Sequence, residues 1–247
     1  MSDSRIRNAA LNNAEWCDAI ASAHGAPGEF HDGIWIVQRP MPRYYPNVVT
    51  LHETIHHDQS HAIDRIRDLA SAGLPATWAV KDSFEMLDLS SSGFTKLFDG
   101  QWIWRAAGAP PSTGSAPAWH WTVINHAHAL TEWESAWSTA SGEASGQPRI
   151  FVPALLDNRT IAVIAARDGE QIVAGAIANR SEEVVGVTNL FAPPRDALAA
   201  TAGVLTMLAE LFPKLPVVGW ENGGSLENAV RLGYQRLGPL RVWARAV

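Results

Sequence analysis

Residues Leu215–Ala246 read LPVVGWENGGSLENAVRLGYQRLGPLRVWARA, and the fold turns on how this stretch is parsed. Pro216–Trp220 has the β-branched and aromatic content of a strand. Ser225–Leu232 carries a helical pattern, and Leu240–Arg245 reads as a final strand. Working backward, Arg195–Leu211 is a helix that ends before Pro213, since proline cannot continue it. Ahead of it, Ile161–Arg167, Ile172–Asn179 and Glu183–Phe191 form a meander of three strands, with Asp168-Gly169 as the hairpin turn between the first two. Strand Trp119–Ile124 and helix Leu130–Thr139 open this half, giving the order β-α-β-β-β-α-β-α-β.

A second stretch echoes the first. Leu74–Ala106 reads LPATWAVKDSFEMLDLSSSGFTKLFDGQWIWRA. At a constant shift of 140, Asp82 falls on Asn222, Met86 on Leu226, Gly93-Phe94 on Gly233-Tyr234 and Leu97 on Leu237. Glu15-Trp16 with Ala19 matches Glu132-Trp133 with Ala136 at a shift of 117, so the first half is shorter by about two strands. Tandem duplication is the reading that follows. The first half is expected to hold a helix at Ala14–Ala23, strands at Gly33–Gln38 and Asn47–Leu51, and a helix over Ser60–Ala72. A strand at Ala76–Val80, a short helix to Ser91 and a strand at Gln101–Arg105 complete it. The Pro-, Gly- and Ser-rich segment Ala106–Ala118 cannot build a core and reads as a linker. The expected domains are residues 1–106, a linker at 107–118, and residues 119–247.

Composition narrows the class of function. A net charge of −6 and the absence of a Lys/Arg run disfavour nucleic acid as a partner. One cysteine, Cys17, excludes an internal disulfide and fits a reducing compartment. No signal pattern and no apolar run of about 18 residues points to a membrane, so a cytoplasmic location is expected. The eleven tryptophans are read mainly as core side chains, with Trp102, Trp104, Trp119 and Trp121 clustered closely enough to line a pocket.

The ending of the second half resembles the GNAT superfamily of acyl-CoA N-acyltransferases. That family closes on a strand, an Asn, a helix, Gly-Phe and a last strand; here Asn222, Ser225, Ala229 and Gly233-Tyr234 stand at those spacings. The resemblance implies an α/β fold of two GNAT-like halves, each a mixed twisted sheet with helices on both faces. It also implies acetyl-CoA or another acyl-CoA as co-substrate, a small-molecule amine as acceptor, and no metal; a homodimer is an option it leaves open. In such a site the pantetheine arm pairs with an exposed strand edge, which falls here on Thr188, Asn189, Leu190 and Phe191. The pyrophosphate would rest on the following helix N-terminus near Arg195, with Asn222 at the neighbouring helix. Glu221 is the candidate base and Asn189 the candidate strand residue facing the reacting atoms. Glu132 and Glu134 lie on the helix that covers the acceptor side in relatives, and read as a solvated face; Tyr234 reads as core.

Two departures stand out. The family's glycine-bearing phosphate loop is replaced by APPRDALAAT, with Asp196 adding negative charge, and the tyrosine that protonates the leaving thiolate is Ala229 here and Leu89 in the first half. These favour, as an alternative, a non-catalytic GNAT-like module that binds a ligand or protein. A further alternative is a zinc hydrolase, because His52-Glu53-Thr54-Ile55-His56 spells HExxH, with His57 and His61 following and Asp64 or Glu85 available as a third ligand. The motif follows a strand rather than lying inside a long helix, which counts against that chemistry. An aminoacyl-tRNA donor is opposed by the acidic balance.

Overall fold

In the computed structural model, the described residues are 4–31, 33–53, 64, 66, 68, 77–108, 117–144 and 146–246. They form two compact units: residues 1–102 with 237–247, and residues 103–236. The division thus falls inside two strands, while most of the expected linker lies outside the described residues. Among the described residues no helix is long and apolar enough to cross a membrane.

The first unit opens with helix α1 (Ser4–Ala23). It starts ten residues earlier than expected because its inward face begins with small Ala9 and Ala10, which carry little hydropathic signal, before reaching Trp16, Cys17 and Ile20. Strands β1 (Glu29–His31), β2 (Ile34–Ile36), β3 (Val48–Thr50) and β4 (Thr77–Asp82) follow. β1 was not legible, being a three-residue edge strand with every side chain exposed. β2 lies antiparallel to β1 and β3, and β3 runs parallel to β4 with Val48 opposite Val80 and Val49 opposite Lys81. The expected helix over Ser60–Ala72 falls largely outside the described residues; Ile66 is helical and fully buried with Ile34, Val48, Trp78 and Val80.

The short helix expected before Ser91 is replaced by a turn and a single 3-10 turn at Ser90–Ser92. The Asp82 carboxylate accepts from Phe84 N (3.3 Å) and Leu87 N (2.7 Å), and Glu85 sits at φ 54°. Side-chain-to-backbone bonds of this kind compete with helix formation. Strand β5 (Thr95–Arg105) then begins six residues before the expected start, since Asp99-Gly100 interrupts its apolar pattern. The last strand of the chain, β11 (Gln235–Ala246), pairs antiparallel with β4 from Arg241–Asp82 to Ala246–Thr77.

In the second unit, β6 (His120–Ile124) and α2 (Ala127–Ala140) precede the antiparallel strands β7 (Ile161–Asp168), β8 (Gln171–Arg180) and β9 (Val185–Phe191). The β7–β8 hairpin closes through Gly169-Glu170, with Gly169 at φ 58°. Helix α3 (Ala197–Leu211), strand β10 (Val217–Glu221) and helix α4 (Gly223–Arg231) complete the unit, and β10 lies parallel to β9. The mixed α/β fold, and in this unit the order of elements, follow the sequence reading. One sheet face is buried under α3 and α4 by Ile164, Ala176, Val185, Val204, Leu205 and Leu208. The other face meets α2, where the Trp133 ring packs edge-on against Phe151 and Phe191 at 5.3 Å and its Nε1 donates to Ile164 O at 2.9 Å.

Candidate acyl-transfer cleft

β9 and β10 pair only at Val185–Val217 and Gly186–Val218; beyond that point they part. Two features drive the parting. On its other side β9 keeps pairing with β8, but Ile177 lies opposite Thr188 and Gly175 opposite Phe191, three steps on β9 against two on β8. That is a bulge, and it places Asn189 at φ 52°, which turns the strand locally. Across the gap Gly219 carries no side chain; a Cβ there would lie 3.2 Å from the Val187 carbonyl oxygen. The glycine therefore leaves that carbonyl open toward the gap, as approach of an extended ligand to a strand edge requires.

The gap is a cavity of about 240 Å³ in the second unit, with Thr188, Asn189 and Leu190 on one strand, Glu221 on the other, and Ala229 and Tyr234 also lining it. Thr188 Oγ1 donates to Asn189 Oδ1 at 3.0 Å. Burial pushes the Glu221 carboxyl from 4.5 up to about 7. Burial also pushes the Tyr234 hydroxyl above its usual range; Arg105 opposes that shift and Glu221 adds to it. A carboxyl that changes charge near neutrality can take a proton from an amine and release it again.

Four of the expected site residues thus meet: Thr188, Asn189, Leu190 and Glu221. Phe191 lies on the opposite face, 5% exposed against Trp133, because side chains alternate along a strand. Arg195 is exposed and paired with Asp196 at 3.2 Å, and Asn222 is the exposed N-cap residue of α4; neither lines the cavity. Tyr234 and Ala229, read as core and as a lost acid, both line it. Sequence reasoning missed Gly219; its only signal is a glycine inside a strand, which often marks a close backbone approach.

Of the two acidic residues of α2, Glu132 lies on a solvated face as expected and Glu134 does not. Glu132 is exposed and paired with Arg167 at 2.9 Å. Glu134 is buried and accepts from Arg149 Nε (2.7 Å), Ile150 N (2.6 Å) and Phe151 N (3.2 Å), pinning that loop to the helix. Of the HExxH motif, His52 and Glu53 are exposed, and the rest lies outside the described residues. No group of three or more metal-ligating side chains occurs among the described residues. Glu85 pairs with Arg241, and Cys17, on the inward face of α1, is buried with its thiol pushed up to about 12 by burial. The Trp119 and Trp121 rings stack edge-on at 6.3 Å, and Trp102 Nε1 donates to Ser83 O; none of the three lines this cavity, whereas Trp220 does.

The second unit is thus a mixed sheet whose parallel pair splays beside a bulge. No family model matches the sequence, and no curated protein sequence matches it. Solved structures do. A GCN5-related N-acetyltransferase from Kribbella flavida is 13% identical, with 96% of this chain and 95% of that one covered at a TM-score of 0.64. A proposed acetyltransferase of the GNAT family from Novosphingobium aromaticivorans is 11% identical, with coverage of 96% and 99% and a TM-score of 0.57. A conserved protein of unknown function from Bacteroides thetaiotaomicron is 15% identical, covering 98% and 92% at 0.54. The fold of this chain is that of the GNAT superfamily.

Proposed function

We propose that the chain is an N-acyltransferase that moves an acyl group from an acyl-CoA, or another activated acyl donor, to an amine of a small molecule. The observation that carries this reading is the parting of β9 and β10 after Gly186 and Val218, with Glu221 and Asn189 on its two sides. The donor arm would lie along β9 at Thr188–Leu190, in the manner of an added strand. The amine nitrogen attacks the thioester carbonyl and its proton passes to the Glu221 carboxylate. The C–N bond forms, the C–S bond breaks, and the thiolate leaves with a proton. With Ala229 in place of a tyrosine, the Glu221 carboxyl is the proton donor at hand, since an acid near 7 can protonate a thiolate of pKa about 8.5. No covalent enzyme intermediate is needed, and the buried Cys17 is not positioned by this cavity. The test is thiol release from an acetyl thioester across a panel of primary amines; no release with any amine, together with no donor binding, sinks the reading. A non-catalytic binding module is the second reading, favoured by Ala229, and predicts binding without turnover.

We also propose that the two halves arose by duplication. Two arrangements related by the 140-residue shift support it. In the second unit Arg105 Nε donates to Leu232 O at 2.9 Å, and a Cβ on Gly233 would lie 3.7 Å from that nitrogen. In the first unit a Cβ on Gly93 would lie 3.6 Å from Arg245 Nε. The parallel pairs also match: Val48 with Val80, and Val185 with Val217, are each 32 residues apart. In the first unit, however, Thr50 Oγ1 accepts from Ser83 N at 2.8 Å beyond the last parallel pair, which ties β3 to β4 where the second unit opens.

A further inference from the structure

The cleft keeps the part of a donor site that holds an extended arm and lacks the part that holds phosphate. At the arm end, β9 and β10 form no ladder pair beyond Gly186 and Val218, and Gly219 puts no side chain before the Val187 carbonyl. At the phosphate end, a helix N-terminus binds anions through free backbone N–H groups. Here the segment leading into α3 begins Pro193-Pro194, and neither proline has an N–H. Asp196 N is already donated to Pro193 O at 2.8 Å, and Ala197 N to Pro194 O. The Asp196 carboxylate sits at the helix start, where the dipole favours one negative charge, and it holds the Arg195 guanidinium, which is otherwise turned to solvent. At this helix start the two prolines offer no amide, those of Asp196 and Ala197 are spent, and a fixed anion stands beside them.

On the reading of the cavity as a donor cleft, we infer that the donor is an acyl thioester of pantetheine whose far end places no diphosphate on this helix. The arm itself then supplies the binding. Such an arm comes free, as acyl-pantetheine, or tethered to a carrier protein through one phosphate.

Calorimetric titration of the full chain with S-acetylpantetheine, acetyl-CoA, an acetylated pantetheine-bearing carrier protein and adenosine bisphosphate tests this. The expected result is that acetyl-CoA binds within about threefold of S-acetylpantetheine, and that adenosine bisphosphate does not bind. Tighter binding of the carrier-borne arm assigns the carrier protein as the source; binding of the free arm at equal strength assigns the small molecule. Asp196→Asn, which removes the anion and keeps the side-chain shape, is expected to tighten acetyl-CoA binding and leave S-acetylpantetheine unchanged. Binding of acetyl-CoA more than about 30-fold tighter than S-acetylpantetheine, or any binding of adenosine bisphosphate, overturns the inference while leaving the donor cleft in place. Binding of neither thioester overturns the donor-cleft reading and this inference together.

Discussion

Burial pushes the Glu221 carboxyl from 4.5 up to about 7, and the same shift sets activity against stability. The base form appears as pH rises through about 7, so acyl transfer should climb over that window and level above it. Glu221→Gln should lose about 10²–10⁴ in rate, the usual contribution of a positioned base. For stability the sign is opposite. The folded state holds the proton more tightly than the unfolded chain between 4.5 and 7, so stability falls as pH rises through that range and the cost is complete above it. Glu221→Gln should therefore be the more stable protein at pH 8, by at most about 3 kcal/mol, and level with the parent at pH 4; urea unfolding at the two pH values reads this directly. Lys81 makes the converse case. It is 6% exposed, donates to Asn13 Oδ1 at 2.9 Å, and burial lowers it from 10.5 to about 8, with Cys17 opposing the shift. Here the unfolded chain binds the extra proton between 8 and 10.5, so stability rises with pH across that window. Lys81→Met removes the charged form and should raise Tm at pH 7.5, with the gap to the parent narrowing by pH 10. An unchanged gap would mean that the ammonium is solvated after all.

At the scale of elements, the cleft depends on β10 keeping its distance from β9 while both stay rigid. Gly219 has no positive φ, but a Cβ there would lie 3.2 Å from the Val187 carbonyl oxygen, so a side chain fills the space before that carbonyl and requires a small shift of it. Gly219→Val should abolish thioester binding in a thermal-shift titration while the ligand-free protein unfolds within a few degrees of the parent; retained binding would show that the arm does not use this edge. The opposite face rests on α2 and the loop that Glu134 holds. Removing that carboxylate leaves the Ile150 and Phe151 amides and the Arg149 guanidinium without their acceptor, next to the Trp133–Phe151 and Trp137–Phe151 contacts. Glu134→Ala should cost about 1–3 kcal/mol, the range for leaving buried donors unsatisfied, measured by chemical denaturation. This role was not legible, because a Glu two residues from Glu132 on a helix reads as surface until the Arg149–Phe151 loop is placed against it.

For the whole molecule, what was legible follows from where the signal lies. Strands β7 to β10 and helix α3 announce themselves by apolar runs bounded by turns, and the spacing from Asn222 to Tyr234 carried the fold. Thr188, Asn189, Leu190 and Glu221 could be named because the resemblance to the GNAT ending puts the donor arm on that strand edge and the base at that strand end. Phe191 was misplaced by treating that edge as continuous, when the bulge and the pleat send its ring to Trp133. Gly219 stayed hidden because its function is the absence of atoms. The ends of β5 and β11 are not legible in the 140-residue echo, which does not show that the two strands divide between the units. Residues 237–247 group with residues 1–102, and Ile103–Arg105 with the second unit. A fragment cut at the proline-rich segment, residues 119–247, would therefore lack Ile103 from the core beside Gly219 and Arg105 from the end of α4, where it bonds Leu232 O. It would also carry β11 without the β4 partner to which six of its residues pair. Such a fragment should fail to unfold cooperatively by circular dichroism, whereas the full chain should; a cooperative transition in the fragment would show that the proline-rich segment divides two self-sufficient halves.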